Sequence, residues 1–403
     1  MASFEPFHAL RPTGEDVKDI ACLPYDVLSD EDVRRLCKEP RSFVHVIRSE
    51  GDLAEDCDPY SQEVYDLAAA SLARMKEEGL LQKDSDPAFY IYREEASDHT
   101  QTGIVGCASV SDYRRGIVRK HELTVKKKED DRTKHIVTAR AQTGPVFLTF
   151  PDREDITKII AEETAKEPLY RFEKFGVIHT VWKVSDPLAV KNIMEAFASL
   201  KLLYIADGHH RAASSARASE LLKTTEANRF MAVAFPAGDL SLLGYHRYVK
   251  DLNGKSEGEF LDEVKKNFDV EMLDNFHAVA PERPHEIIMT INSTWYRLVP
   301  HKDIYDPDDS ISRLDVSILQ NSLLDPILGI KDPRSNSRIR FIGGARAYSE
   351  VEQLCARADS VGFLLYPTDI RDLMAVADDE RIMPPKSTWF EPKLLSGLLV
   401  HEL

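Results

Sequence analysis

The segment Ile205-Ala206-Asp207-Gly208-His209-His210-Arg211-Ala212-Ala213 sets an apolar run, an acid, a glycine, two imidazoles and a guanidinium in succession. A strand that ends in Asp-Gly and turns into an alanine-rich helix leaves the first helical N–H groups unpaired. Those groups carry the positive end of the helix dipole, which makes an anion site. Gly208 lets the backbone approach a ligand closely. His209, His210 and Arg211 add donors, and the guanidinium fork suits a phosphate. Asp207, at the strand's end, is placed to hold Mg²⁺ or to orient a histidine. The plainer alternative is a helix cap with two solvated histidines. No Walker-type glycine loop occurs anywhere in the chain.

Two further groups could do chemistry. In Arg119-Lys120-His121-Glu122-Leu123-Thr124, a glutamate beside a histidine could act as a general base, with a solvated charged turn as the alternative. In Met383-Pro384-Pro385-Lys386-Ser387-Thr388, prolines stiffen a loop whose Lys386, Ser387 and Thr388 could close over a phosphate, or could be an ordinary loop. The run Lys126-Lys127-Lys128-Glu129-Asp130-Asp131-Arg132 reads as a solvated face, with Arg132 within reach of a phosphate. The 13 histidines lack HExxH or other ligand spacing, which argues against a catalytic zinc.

The elements that must position these residues alternate between strand and helix. Ser29 with Asp32 predicts a capped helix start, and apolar spacing predicts a helix over 60–81 that stops at Gly79. Strands are expected at 88–92, 102–110, 145–150, 177–184, 202–206 and 230–235, and helices at 154–166, 187–199 and 212–223. The class is therefore α/β or α+β. No internal repeat or low-complexity linker marks a boundary, and soft divisions are placed near 250 and 300.

Length 403 favours more than one lobe, and 43% hydrophobic with 30% charged residues is ordinary globular composition. The formal net charge of −16 makes direct nucleic-acid binding the weaker reading, because phosphate backbones recruit a basic surplus. No stretch is apolar for long enough to cross a bilayer, and MASFEPFHALRP has neither a basic head nor an apolar run. Cys22, Cys37, Cys57, Cys107 and Cys355 are odd in number, have no CxxC spacing and read as buried thiols of a reducing compartment, the cytoplasm, not as a disulfide frame or a zinc site.

Six motifs in order resemble the family called domain of unknown function 1015. They are Leu23-Pro24-Tyr25-Asp26-Val27, Arg119-Lys120-His121-Glu122 with Thr124, Ala206-Asp207-Gly208-His209-His210-Arg211, and Gly244-Tyr245-His246-Arg247. Phe363-Leu364-Leu365-Tyr366-Pro367-Thr368 follows, then Met383-Pro384-Pro385-Lys386-Ser387-Thr388 running on through Pro392-Lys393-Leu394-Leu395-Ser396-Gly397. The Asp207 segment is also similar to the helix-start signature of the ParB/sulfiredoxin-like superfamily, which includes free L-serine kinases. The resemblance implies an α+β (mixed α/β) fold, with a ParB/sulfiredoxin-like core and N-terminal extension over 1–250. A C-terminal α/β region over 251–403 would pack on the site. It implies a kinase acting on free L-serine or a similar hydroxy compound, with Mg²⁺ and ATP, ADP or pyrophosphate as donor. Glu122 would match the base, Asp207 the Mg²⁺ ligand, and Gly208, His209, His210 and Arg211 the phosphate site. The alternative it leaves is a ParB-like nucleotide- or phosphate-binding regulator that does not turn serine over.

Overall fold

The computed structural model describes residues 1–274, 277–356 and 359–403, and the chain divides into two compact units. The first is Met1–Leu240 together with Pro392–Leu403; the second is Ser241–Glu391. The sequence reading divides the chain into two consecutive blocks, whereas here the closing segment belongs with the first unit because its strand completes a sheet there. The fold is mixed α/β, as expected from the alternating pattern. Among the described residues, no helix is long and apolar enough to cross a membrane.

The first unit is built on a sheet of nine strands among the described residues. In chain order these are β1 (Phe4–Glu5), β2 (Phe89–Glu95), β3 (Thr100–Ser109), β4 (Val118–Arg119), β5 (Val146–Phe150), β6 (Tyr170–Lys174), β7 (Val177–Val184), β8 (Leu203–Asp207) and β9 (Arg229–Pro236). Their spatial order is β4-β8-β5-β9-β3-β2-β7-β6, with β1 also paired to β3. Only β4 with β8 and β5 with β9 run parallel. The central strands are apolar on both faces; β5 is buried along its whole length. Glycines in β3 accept close neighbours, since a Cβ on Gly106 would stand 2.7 Å from the Phe89 ring. A core including Phe4, Ile91, Leu148, Phe197, Ile205 and Phe230 lies against this sheet.

The helices of this unit start where local chemistry allows. Those of seven residues or more, among the described residues, are α1 (Asp30–Leu36), α2 (Gln62–Glu77), α3 (Lys126–Ala139), α4 (Glu154–Thr164), α5 (Pro187–Ser199) and α6 (His209–Leu222). Ser29 Oγ accepts the Asp32 N–H at 3.1 Å and the Asp32 carboxylate accepts the Ser29 N–H at 3.3 Å, the reciprocal capping box that the sequence predicts. Asp186 caps α5 by accepting from Leu188 and Ala189, with Pro187 at the first helical position. The charged stretch after Thr124 is a helix, α3, whose Lys126, Lys127 and Lys128 are exposed. It is held on α6 by Ser214 Oγ donating to the Glu129 carbonyl at 3.1 Å and by Arg217 paired to Asp130 at 2.6 Å. A smaller sheet orders Leu81–Lys83, Ala9–Pro12, Val400–Glu402 and Ala141–Gln142, so the closing strand stands between two segments distant in sequence.

The second unit carries a six-stranded sheet among its described residues, ordered Phe268–Leu273, Thr294–Pro300, Ile287–Ile291, Val361–Leu365, His246–Val249 and Ile339–Ile342. All its pairings are antiparallel. Helix Ala347–Cys355 packs Ala347, Val351 and Cys355 onto a core with Trp295, Ile288 and Leu364.

Candidate active site

Asp207 closes β8, and the β8–β5 register shifts between Ile205 and Asp207. Such an irregularity re-aims the side chain at a strand's end. Gly208 then turns the chain with φ 90° and ψ 29°, a left-handed conformation that glycine adopts without strain. The space is closed as well: a Cβ on Gly208 would stand 2.9 Å from Arg211 Nε. Helix α6 starts at His209, with Ala212 N–H donating to the Gly208 carbonyl at 3.0 Å, and no side chain among the described residues caps it. Its start is three residues earlier than alanine content alone suggests, so His209, His210 and Arg211 form its first turn rather than a loop before it.

The parallel pairing of β4 with β8 brings in the second candidate group. Arg119 stands opposite Tyr204, so the chain leaving β4 runs beside the end of β8. The His121 and His209 rings meet edge to face with centroids 4.4 Å apart, and the His121 N–H points at His209 Nε2 at 3.4 Å. Glu122 Oε2 lies 3.9 Å from His209 Nδ1 and its side chain is 41% exposed, so the glutamate faces both the histidine and solvent. His210 Nε2 accepts the Val125 N–H at 2.9 Å, which ties the first turn of α6 to the start of α3.

Arg211 is buried and partly committed. Nη1 donates to the Pro145 carbonyl and Nη2 lies 3.7 Å from Asp207 Oδ2. Its Nε and the Nδ1 of His121 are buried polar atoms without a hydrogen-bond partner among the described residues. A cavity of about 30 Å³ beside Arg211, walled by Tyr25, Arg132, Thr143 and Ser396, has room for about one or two waters. A larger cleft of about 680 Å³ shares Tyr25 and Arg132 as walls and is not lined by Asp207 or His209. Arg132 itself stacks on Tyr25 at 4.2 Å and pairs with Asp131 at 2.8 Å.

Lys393 carries no site signal of its own in the sequence. Its Nζ lies 3.5 Å from Asp207 Oδ2 and the side chain is 14% exposed. Two tethers flank it: Gln101 Nε2 donates to the Pro392 carbonyl at 3.4 Å, and Ser396 exchanges backbone hydrogen bonds with Cys22. No local spacing could link Lys393 to Asp207. The signal available was its place in the closing family motif. Lys386, Ser387 and Thr388 belong to the second unit. There the Lys386 carbonyl accepts from Arg247 Nη2 at 2.9 Å, and the buried Ser387 hydroxyl donates to the Pro384 carbonyl at 2.6 Å.

Charges are strongly coupled at the Asp207 centre. Burial pushes the Asp207 carboxyl up, but Lys393, Arg211 and the Gly208 N–H outweigh it and hold the group well below the usual carboxylate range. Burial pushes His121 down to about 4 against the attraction of Asp207. Burial and the neighbouring His121 also hold His209 well below the ordinary imidazole value. Two neutral imidazoles, an ionised aspartate and two fixed cations thus surround an uncapped helix N-terminus. That arrangement can hold an anion and present a base, Glu122, at its edge.

A family model described as "Protein of unknown function (DUF1015)" matches residues 4–317. No curated protein sequence matches the chain. Among solved structures, the chain is similar to SbnI with C-terminal truncation from Staphylococcus aureus, at 11% identity over 72% of this chain and 85% of that one, with TM-score 0.40. It is similar to a variant of free serine kinase in complex with ADP, at 12% identity over 73% of this chain and 90% of that one, TM-score 0.37. A conserved hypothetical protein from Pyrococcus furiosus matches at 11% identity over 72% and 90% of the respective chains, TM-score 0.35.

Proposed function

This chain belongs to the family of proteins of unknown function DUF1015, and we propose that it is a small-molecule kinase transferring a phosphoryl group to the hydroxyl of free L-serine. The observation that carries the reading is the meeting of Asp207, the uncapped start of α6 and Lys393, with Glu122 3.9 Å from His209 at the rim. Phosphoryl transfer asks chiefly for positioning and charge stabilisation, and this inventory supplies both. Glu122 accepts the proton of the serine hydroxyl. The serine oxygen bonds to the terminal phosphorus of the donor, and the bond from that phosphorus to its bridging oxygen breaks. Negative charge on the moving group falls on the first-turn amides of α6, on Lys393 and on Arg211 through its Nε, which has no hydrogen-bond partner among the described residues.

The fit of Mg²⁺ rests on the donor set. Asp207 Oδ1 already accepts the Gly208 N–H at 2.7 Å and Oδ2 faces two cations, so the carboxylate by itself is a weak Mg²⁺ ligand, and the ion would be held mainly by the donor phosphates with Asp207 as one protein ligand. When bound, the ion would neutralise phosphate charge. ATP, ADP and pyrophosphate all remain candidate donors.

The test is phosphoserine formation from free L-serine with Mg²⁺ and each donor in parallel, repeated with Asp207→Ala. Product that vanishes in the variant supports the kinase and names its donor. Absence of product with every donor, alongside retained nucleotide or phosphate binding, turns the reading to a ligand-binding regulator.

A further inference from the structure

Outside the Asp207 centre, three elements of the first unit bring a thiol, an imidazole and a carboxylate together. Cys37 caps the C-terminus of α1, His45 lies in the short helix Val44–Ile47, and Asp52 ends the turn Ser49–Asp52. One ligand atom from each lies within 4.8 Å of the other two. His45 Nδ1 stands 2.7 Å from Asp52 Oδ2, with the histidine side chain 9% exposed and the aspartate 25% exposed. The other ring nitrogen, Nε2, stands 3.0 Å from the Glu39 carbonyl.

That last contact fixes the chemistry. A carbonyl only accepts, so Nε2 carries a hydrogen. Nδ1 then meets the Asp52 carboxylate either with a second proton or with a lone pair and something positive between them. A histidine whose distal N–H is held by a backbone carbonyl, leaving the proximal nitrogen as donor, is the arrangement found around metal-ligating histidines. The third group decides which cation suits the place. Cys37 Sγ sits directly behind Gly51, where a Cβ would come within 2.6 Å of it. Thiolate, imidazole and carboxylate together select a borderline-soft divalent ion with tetrahedral preference over Mg²⁺ or Ca²⁺.

We propose that Cys37, His45 and Asp52 form a zinc site, with Nδ1, Sγ and one Asp52 oxygen as ligands and the fourth position open on the solvent side of Asp52. Zinc replaces the proton on Cys37 Sγ and the proton on His45 Nδ1, so loading releases up to two protons and oxidises nothing. Two ligands on one tetrahedral ion with bonds of about 2.0 Å stand about 3.3 Å apart, so the His45–Asp52 pair opens by about half an ångström. The sequence gives no hint of the site, because Cys37, His45 and Asp52 follow none of the usual ligand spacings. The assignment is independent of any phosphoryl transfer.

The experiment is metal titration of the untagged full chain after chelator treatment, with Zn²⁺ followed by calorimetry and Co²⁺ followed by absorption. The expected result is one equivalent bound at a dissociation constant on the order of micromolar or tighter, proton release that differs between buffers, and a thiolate-to-cobalt charge-transfer band. Cys37→Ser abolishes the band, and Asp52→Asn, which keeps the size of the side chain, weakens binding by about tenfold or more. Cys57→Ser retains both band and stoichiometry. If Cys37→Ser does not fold by circular dichroism, Asp52→Asn decides. No bound equivalent, or binding and band unchanged in both site variants, overturns the site and leaves a protonated imidazolium–carboxylate pair in its place.

Discussion

Lys393 Nζ stands 3.5 Å from Asp207 Oδ2, an ion pair between the last residue of β8 and a segment that rejoins the first unit only after the second unit has been spelled out in sequence. The pair makes the motif around Lys393 a component of the proposed anion site.

Removing the cation should therefore be felt in stability as well as in binding. Lys393→Met leaves Asp207 facing Arg211 alone and should lower the unfolding free energy by about 1–3 kcal/mol, read as a shift in urea midpoint. Combined with Asp207→Asn, the loss should be smaller than the sum of the single losses. Strict additivity would mean that the 3.5 Å approach contributes nothing. The Asp207 carboxyl is depressed in the folded chain, so its contribution is complete above the ordinary carboxylate pKa and fades as pH falls below it. The acid limb of the stability curve should flatten in Lys393→Met.

Gly208→Ala tests the turn. The new side chain would have to sit at φ 90° and meet Arg211 Nε at 2.9 Å. A loss of about 1–3 kcal/mol is expected from the strained backbone, measured by thermal or urea unfolding. An alanine variant as stable as the parent would show that the turn relaxes to a right-handed form.

Four buried histidines, His121, His135, His179 and His246, are pushed down to about 4 by burial. The sign follows from proton counting. Between pH 6.5 and 4 the unfolded chain protonates these rings while the folded chain does not, so stability falls as pH falls across that window. Each ring contributes on the order of 3 kcal/mol at full depression. Urea midpoints at pH 8, 6.5 and 5 should show little change over the first interval and a clear drop over the second. A flat profile down to pH 4.5 would mean that these rings are charged or solvated in the native state.

Glu122→Gln separates chemistry from binding. The amide keeps the shape but accepts no proton, so phosphoserine formation should fall by about 10²–10⁴-fold. Nucleotide or phosphate affinity should stay within a few-fold of the parent. Full turnover in this variant removes Glu122 from the base role.

The parts of the fold legible in sequence were those with local causes. The Ser29–Asp32 capping box and the apolar strands 146–150 and 203–207 are dictated by neighbours within a few residues. Helix α3 was not legible because it buries only Thr133, His135 and Ile136, too few for an apolar period, and is held to α6 by Glu129 and Asp130 instead. In the site, the run from Asp207 to Arg211 declared itself by composition. Its approach to His121 follows from the parallel β4–β8 pairing, and its approach to Lys393 from the sheet that takes in Val400–Glu402. Both are long-range pairings, which residue spacing does not encode.

The placement of Val400–Glu402 between Ala9–Pro12 and Ala141–Gln142 has a consequence for biosynthesis. Synthesis is vectorial, and domains commonly fold as they emerge. Here the first unit has to wait, with the sheet edges of Leu10 and Gln142 unfilled, until the whole of Ser241–Glu391 has been translated and the closing strand has cleared the ribosome. Nascent chains arrested before Pro392 would therefore hold Asp207 without its lysine, so the proposed anion site matures only after the second unit and Lys393 have been translated.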